Sequence, residues 1–94
     1  MRIEWHPLAR ADLAGLVVYI ATDDVSAAYR VHDSIREQIE RLATHPEIGR
    51  SGRVTGTREL VISGTPYVAA YRVAGDVVTV LRVLHGARRW PQKL

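Results

Sequence analysis

The sequence predicts an α+β domain with the element order β-α-α-β-β-β, in which a two-helix hairpin packs on one face of an antiparallel sheet. Two segments with helical apolar periodicity within residues 7–43 predict the helices. Two runs rich in Val, Tyr and Thr flank Gly75-Asp76 and predict a C-terminal β-hairpin. Two helices joined by a short linker must cover an apolar surface, and the sheet is the only candidate.

Length and composition indicate one domain spanning residues 1–94. A chain of 94 residues can bury one modest core but not two. It has no cysteine, which excludes disulfides and thiolate metal sites. The four histidines lack metal-site spacing and no glycine-rich phosphate loop is present, so we expect no metal and no cofactor. With no signal peptide and no membrane-length apolar run, we expect a cytoplasmic protein without membrane association.

The net charge of +3 is divided unevenly along the chain. Residues 1–49 carry five arginines against eight acids, which gives −3. Residues 50–94 carry seven arginines and one lysine against two acids, which gives +6. The basic half predicts a surface for nucleic acid or for an acidic protein partner. Twelve arginines against one lysine suit bidentate binding of phosphate or carboxylate, although a GC-rich gene also favours arginine.

The first half of the chain predicts a short strand followed by two helices. His6-Pro7 opens the first helix after the strand at residues 2–5, because proline suits the first helical position. Asp24 caps the second helix, which we place at residues 25–43. Gly15 inside the first helix predicts a close packing contact there. The two buried stripes are Leu13, Leu16, Val17 and Ile20, and Ala28, Val31, Ile35, Ile39 and Leu42.

The second half predicts a loop and three strands. A loop at residues 44–52 leads to a strand that is strongest over residues 57–62, and a turn at residues 63–66 follows. Gly75-Asp76 suits a two-residue hairpin loop, because glycine tolerates the positive φ of such turns. This loop places Tyr71 opposite Val80, Ala69 opposite Arg82 and Tyr67 opposite Leu84. A three-residue loop would instead place Arg82 beside Arg72.

One face of the predicted sheet has no covering element. Both faces of the hairpin carry apolar side chains, whereas the helices cover only one. The pattern predicts an apolar surface of the kind that a partner covers, unless strand twist and the C-terminal tail hide it. Trp90-Pro91 favours a packing anchor for that tail over a direct contact with a target.

Several local patterns, in this order, resemble the RelE/ParE superfamily of bacterial type II toxins. The resemblance covers nearly the whole chain, and the order and spacing of the pieces are more specific than any one of them. His6 stands where many members have a serine or threonine cap. The pieces are residues 5–13, residues 45–50, Arg58-Glu59-Leu60, and Tyr67 with Tyr71-Arg72-Val73, followed by residues 80–88.

The resemblance implies a plasmid-stabilisation type of toxin that a cognate antitoxin holds inactive. In such complexes the antitoxin wraps the toxin with helical and extended segments, so we expect a toxin–antitoxin hetero-oligomer. This agrees with the basic second half and the uncovered face. We expect the antitoxin to contact Tyr67, Tyr71, Leu81 and Val83.

The superfamily divides by target, and one branch resembles RelE. That branch cleaves messenger RNA on the ribosome with the 2′-hydroxyl as nucleophile, which needs a base, an acid and cations for the developing charge. His85 is the best acid–base candidate, because imidazole titrates near neutral pH. A ribonuclease of this kind would use His85 with Arg72, Arg82, Arg88 and Glu59.

The departures from RelE favour the ParE-like branch, which poisons DNA gyrase by binding and needs no catalytic set. Val68 stands where RelE-like members often have a basic residue, and the lysine-rich second strand is absent. Residues 87–91 lack the catalytic tyrosine of some members. We expect gyrase to contact Arg58, Arg82, His85, Arg88, Arg89 and Trp90.

Each of these residues also has a plainer interpretation. His85 can simply end the last strand by bonding to the backbone. Arg58 and Arg72 can be solvated or pair with Glu59 and Asp76, which would contribute little. A plain nucleic-acid-binding module is a third hypothesis, supported by the +6 half alone.

Overall fold

Five strands and two helices make up the fold in the computed structural model, which describes residues 1–94 throughout. The elements in chain order are β1 (Arg2–Trp5), α1 (Pro7–Ala21), α2 (Val25–Glu40), a 3₁₀ turn (Arg41–Ala43), β2 (Arg50–Ser51), β3 (Arg58–Val61), β4 (Tyr67–Ala74) and β5 (Val77–His85). Neither helix combines the length and the apolar character that a bilayer crossing requires.

The sheet has the strand order β1-β5-β4-β3-β2. β1 runs parallel to β5, and the other neighbours are antiparallel. The predicted α+β class and helix hairpin are confirmed, but the sheet is mixed and not wholly antiparallel as predicted, because β1 pairs with β5 in parallel. The prediction lacked β2, a two-residue strand in which Arg50 pairs with Glu59 and Ser51 with Arg58. Glycine and proline around it predicted a loop, and only pairing with β3 makes these two residues a strand.

Local signals start both helices as expected. The His6 side chain caps α1 by accepting the N–H of Leu8 through Nδ1 at 3.1 Å. Asp24 caps α2 by accepting the N–H of Ala27 at 3.0 Å. α2 ends at Glu40, earlier than predicted, because its last turn tightens into the 3₁₀ turn.

The main core lies between the helix hairpin and one face of the sheet. Both predicted helical stripes face it: Leu13, Leu16, Ala28, Ile35, Ile39 and Leu42 are buried, and Val17, Ile20 and Val31 are half-buried. From the sheet, Ala69, Tyr71, Val78, Val80 and Val83 join the cluster.

A β-bulge divides the register of the β4–β5 hairpin. Gly75 takes φ +60° in the predicted two-residue loop, and Tyr71 lies opposite Val80 as predicted. The extra residue Leu81 then shifts the register, so that Ala70 lies opposite Arg82.

The predicted pairs of Ala69 with Arg82 and Tyr67 with Leu84 are therefore wrong. Ala69 pairs with Val83, and Tyr67 pairs with His85. One bulged residue reverses which side chains of β5 face the helices, because side chains alternate along a strand.

The prediction of an uncovered second sheet face is wrong as well. Val68, Ala70, Leu81 and Leu84 lie outside the main core cluster, yet the chain itself buries all four. The C-terminal tail contributes to this cover: Trp90 stacks with Arg53, and Leu94 lines a small cavity beside Leu81. The alternative that the tail folds back over the sheet is the one the structure shows.

Candidate functional site

Arg82 is bound to helix α1. Its Nε and terminal nitrogen donate to the two carboxylate oxygens of Asp12 at 2.7 and 3.0 Å. β1 ends at Trp5, opposite Val80, so β5 has no strand partner on that side beyond this point. Asp12 fills the gap by also accepting the N–H of Val83 at 3.0 Å. The bidentate pair neutralises the Arg82 charge inside the protein.

The Asp12–Arg82 pair is largely shielded from solvent. The side chains are 13% and 19% exposed. The hydrogen bond to Asp12 raises the pKa of Arg82, whereas burial acts in the opposite direction. A guanidinium held in this way is a structural group and is not presented to a phosphate or to a partner's carboxylate.

Glu59 is a buried carboxylate at the centre of a second cluster. Its side chain is 1% exposed and accepts a bond from Arg50 at 3.0 Å. It also pairs with Nε of Arg53 at 3.4 Å and accepts the backbone N–H of Arg53 at 2.7 Å. The Glu59 carboxylate is thus bound by Arg50 and Arg53 of the same chain. The predicted alternative, in which Glu59 pairs with Arg58, is wrong.

Arg58 instead braces the loop that follows α2. One of its terminal nitrogens donates to the carbonyl oxygens of Glu47 and Gly49, at 3.2 and 2.8 Å. Arg72 is exposed on β4 and takes part in no ion pair, with Asp76 or any other acid. Of the two, only Arg72 presents a free charge.

The C-terminal tail brings four of the predicted target residues together. Nε1 of Trp90 donates to the carbonyl of His85 at 3.3 Å, so residues 85–90 form a closed loop. Arg88 and Arg89 are exposed on this loop. Arg58 and Arg82, the other two residues of the predicted set, lie elsewhere.

His85 ends β5 at the base of this loop. Nδ1 accepts the N–H of Ala87 at 3.1 Å. The ring meets Tyr67 edge-on, with centroids 5.8 Å apart. Burial raises the pKa of Tyr67, and the neighbouring Tyr19 raises it further.

A cleft of about 450 Å³ separates α1 from the end of β5. A Cβ built on Gly15 meets nothing within 4 Å, so the predicted packing contact of this glycine is absent from the isolated chain. The missing side chain widens the cleft instead. The residues that line the cleft include Gly15, Leu16, Tyr19, Tyr67, His85 and Arg88.

The five predicted catalytic residues do not assemble. Tyr67 lies opposite His85 and Arg72 lies opposite Thr79, so five residues of β4 separate the two positions. At roughly 3.3 Å per residue, Arg72 is about 17 Å from His85 along the sheet. Arg82 and Glu59 are occupied by the ion pairs described above. Only His85 and Arg88 share a cleft.

Most of the predicted antitoxin contacts lie in the interior. Tyr71, Leu81 and Val83 are buried, and Tyr67 is half-buried in the cleft. Four of the nine large exposed apolar side chains lie near the connection between α1 and α2, and we call Val18, Tyr19, Val25 and Tyr29 the hairpin patch. Sequence reasoning missed it because α1 is apolar around much of its circumference, although Val17-Val18-Tyr19-Ile20 gave the signal.

The family model described as "ParE toxin of type II toxin-antitoxin system, parDE" matches residues 3–90. The chain belongs to this toxin family. Toxin RelE2 of Caulobacter vibrioides is 37% identical over 87 residues, with 93% of this chain and 97% of the relative covered. The Sinorhizobium fredii protein Y4kP is 42% identical over 93 residues, with 99% and 96% covered.

The fold is also found among solved structures. A chain of a chromosomal ParDE system from P. aeruginosa superposes with a TM-score of 0.78 and 29% identity, covering 88% of this chain and 92% of that chain. The resemblance to the RelE/ParE superfamily is thus confirmed, and the protein is a type II toxin of the ParE/RelE kind.

Proposed function

We propose that this toxin arrests growth by binding and poisoning DNA gyrase, and that a cognate antitoxin neutralises it in a hetero-oligomeric complex. One observation carries the proposal. Arg82 and Glu59, which RNA cleavage would need, form ion pairs with other residues of the chain. Binding requires a shaped and charged surface, whereas cleavage requires free acid, base and cationic groups around one phosphate.

The ion pairs argue against a ribonuclease site built from the predicted residues. Arg82 is closed off by Asp12, and Glu59 by Arg50 and Arg53. Releasing either acid from its cations would leave a charge without a partner in a poorly solvated place, which costs several kcal/mol. These residues are therefore better explained as structural supports of a binding protein.

The target surface that we propose is the closed loop of the tail. His85 and Trp90 form its ends, and Arg88 and Arg89 lie between them, exposed. Two neighbouring free guanidiniums offer bidentate contacts to carboxylates of a protein target or to phosphates of gyrase-bound DNA. The closed loop restricts their positions before binding, which lowers the entropic cost of association.

Purified toxin tested on gyrase checks this proposal. We expect inhibited supercoiling and accumulated cleavage complexes, and we expect Arg88→Ala combined with Arg89→Ala to raise the toxin concentration for half inhibition about tenfold or more. Arg72→Ala is the matched control, since Arg72 is an exposed, unpaired arginine on another part of the surface. A toxin that leaves both gyrase activities unchanged would contradict the proposal.

Ribosome-dependent cleavage of messenger RNA is the alternative, and one observation favours it. His85, Tyr67 and Arg88 share the cleft beside α1, which places an imidazole, a phenol and a cation around one space. If this cleft cleaves RNA, His85→Ala abolishes both transcript cleavage and growth arrest. Full toxicity of that variant together with intact transcripts removes the alternative.

We further propose that the antitoxin covers the hairpin patch and the adjoining cleft. The 77% exposed Tyr19 belongs to both, and Arg88 at the cleft gives an acidic partner a cation to bind. Large exposed apolar groups beside a groove are typical of a helix-docking surface.

Measuring antitoxin affinity by calorimetry tests this surface. We expect Tyr19→Glu to weaken binding about tenfold or more, because it places a charge in the apolar contact. Val73→Glu is the control, since Val73 is also exposed but lies at the distal turn of the β4–β5 hairpin. Equal affinities for the wild type and both variants would place the antitoxin elsewhere.

A further inference from the structure

We propose that Glu59 and Arg53 are positioning residues that clamp the C-terminal tail and hold Arg88 and Arg89 in one presented arrangement. The clamp itself is a property of the fold. Its consequence for toxicity rests on the proposed function, in which the tail contacts the target. Neither the ribonuclease nor the gyrase hypothesis assigned a role to Arg53.

The clamp begins at Glu59 on β3. Because its carboxylate is buried, it requires compensating cations and donors, and it finds them in Arg50 and in both the backbone and the side chain of Arg53. Two contacts from one residue fix the Arg53 main chain and aim its side chain. The backbone contact, at 2.7 Å, is a short charge-assisted hydrogen bond, and the side-chain contact, at 3.4 Å, is a longer ion pair.

The loop that carries Arg53 is rigid for a second reason. A Cβ on Gly52 would collide with Oγ1 of Thr57 and approach the Thr57 backbone, so only glycine fits there. The N–H of Gly52 donates to the carbonyl of Thr57 at 2.8 Å, and Oγ1 of Thr57 donates to Val54 at 2.6 Å. The loop between Gly52 and Thr57 is therefore held by its own hydrogen bonds, and it fixes the direction of the Arg53 side chain.

The Arg53 side chain connects this loop to the C-terminal tail. Its guanidinium lies 4.1 Å from the centroid of the Trp90 ring, and a terminal nitrogen donates to the carbonyl of Gly86 at 3.4 Å. One side chain thus contacts both ends of the loop that bears Arg88 and Arg89. Indole is the best of the aromatic rings for a cation–π contact, and arginine is a more frequent cation in such contacts than lysine.

Fluorescence of Trp90 tests the clamp directly. In the Trp5→Phe background Trp90 is the only tryptophan of the full chain. Arg53→Met keeps the length of the side chain but removes the cation. We expect its Trp90 emission to shift to the red, acrylamide quenching to increase, and trypsin cleavage after Arg88 and Arg89 to become about tenfold faster, because a proteolysed segment must first detach.

The control and a second variant keep the test decisive. Arg72→Met removes an exposed, unpaired arginine and should leave quenching and cleavage unchanged. Glu59→Gln removes the charge that holds Arg53 but keeps the size of the side chain, and it should release the tail to a similar degree. If Arg53→Met remains folded by circular dichroism and neither quenching nor cleavage changes, the clamp is overturned.

A growth assay with the same variants separates the two proposals. Release of the tail together with weaker growth arrest supports both the clamp and the target surface. Release of the tail with undiminished arrest supports the clamp and refutes the tail as the target surface. Arg53→Lys keeps the cation. If this variant returns both the Trp90 quenching and the growth arrest to wild-type levels, positioning is supported. If quenching returns to the wild-type level but arrest does not, positioning is contradicted.

Discussion

At the scale of single residues, Tyr71 joins the sheet to the loop after α2. Its buried hydroxyl donates to the carbonyl of Pro46 at 2.7 Å and accepts the N–H of Gly49 at 2.8 Å. A Cβ on Gly49 would lie 2.5 Å from that hydroxyl, so the glycine permits the close approach. Tyr71, which we predicted as an antitoxin contact, thus holds the loop after α2 against the sheet.

Removing the hydroxyl should cost stability. We predict that Tyr71→Phe lowers the free energy of unfolding by about 1–3 kcal/mol, because it leaves the buried N–H of Gly49 and the half-buried carbonyl of Pro46 without this partner. Urea denaturation measures the change. Tyr29→Phe is the control, since Tyr29 is exposed on α2 and should unfold as the wild type does. Equal midpoints for the two variants would contradict the prediction.

The same tyrosine makes the stability of the fold decrease at alkaline pH. Burial raises the pKa of Tyr71, and the bond from Gly49 and the nearby Arg58 only partly oppose it. Since the unfolded chain then loses its proton first, stability is fully present below the ordinary tyrosine pKa of 10.0 and is lost as pH rises above it. Urea midpoints measured from pH 8 upward should fall above pH 10, and fall less for Tyr71→Phe.

The Asp12–Arg82 pair is the second decisive residue-scale contact. We predict that Asp12→Ala destabilises the fold by about 3 kcal/mol, because it leaves a poorly solvated guanidinium and the N–H of Val83 without an acceptor. Thermal or urea unfolding measures this. Asp33→Ala removes an exposed acid from α2 and should change stability by less than about 0.5 kcal/mol. A similarly small effect for Asp12→Ala would show that the pair contributes nothing.

At the scale of elements, α1 carries exposed apolar side chains on a face that would be polar in a domain without a partner. Val18 and Tyr19 face solvent on the helix, and Gly15 faces the open cleft one turn before Tyr19. Glycine lowers helix stability and makes no internal contact here that would explain it. Space for a partner is the explanation that the proposed antitoxin surface provides.

Replacing this glycine separates stability from binding. We predict that Gly15→Ala stabilises the isolated toxin by about 0.5–1 kcal/mol, because it favours the helix and meets no atom. The same variant should bind the antitoxin more weakly if the cleft receives it. Gly64→Ala is the contrasting control: its φ of +79° strains alanine, so stability should fall. A destabilised Gly15→Ala would mean that the helix is constrained in a way not seen here.

At the scale of the whole molecule, the tail changes how the sheet is completed. The chain covers both faces itself, with the helices on one and the tail contributing to the other. The antitoxin surface that we propose is therefore the hairpin patch and not the sheet face. The positive charge is also redistributed, because internal pairs consume Arg50, Arg53 and Arg82, whereas the tail keeps Arg88, Arg89 and Lys93 unpaired.

Truncation tests the contribution of the tail to the fold. We predict that removing residues 90–94 lowers the free energy of unfolding by about 1–3 kcal/mol, because Leu81 and its neighbours on the second face lose apolar cover. Urea denaturation measures the loss, and increased binding of the dye ANS should report the exposed face. An unchanged midpoint with no dye binding would mean that the tail covers nothing of consequence.

The helices, the Asp24 cap, the hairpin turn and the basic second half follow from the sequence alone, because they depend on periodicity and on residues a few positions apart. Asp24 caps the helix that directly follows it, and Gly75 lies in the turn between two adjacent strands. The tertiary structure alone decided the bulge at Leu81, the pairing of Arg82 with Asp12 seventy residues away, and the contact of Arg53 with Trp90. Such contacts form only when distant segments meet, and a one-residue shift in a strand is enough to reverse which side chains reach the surface.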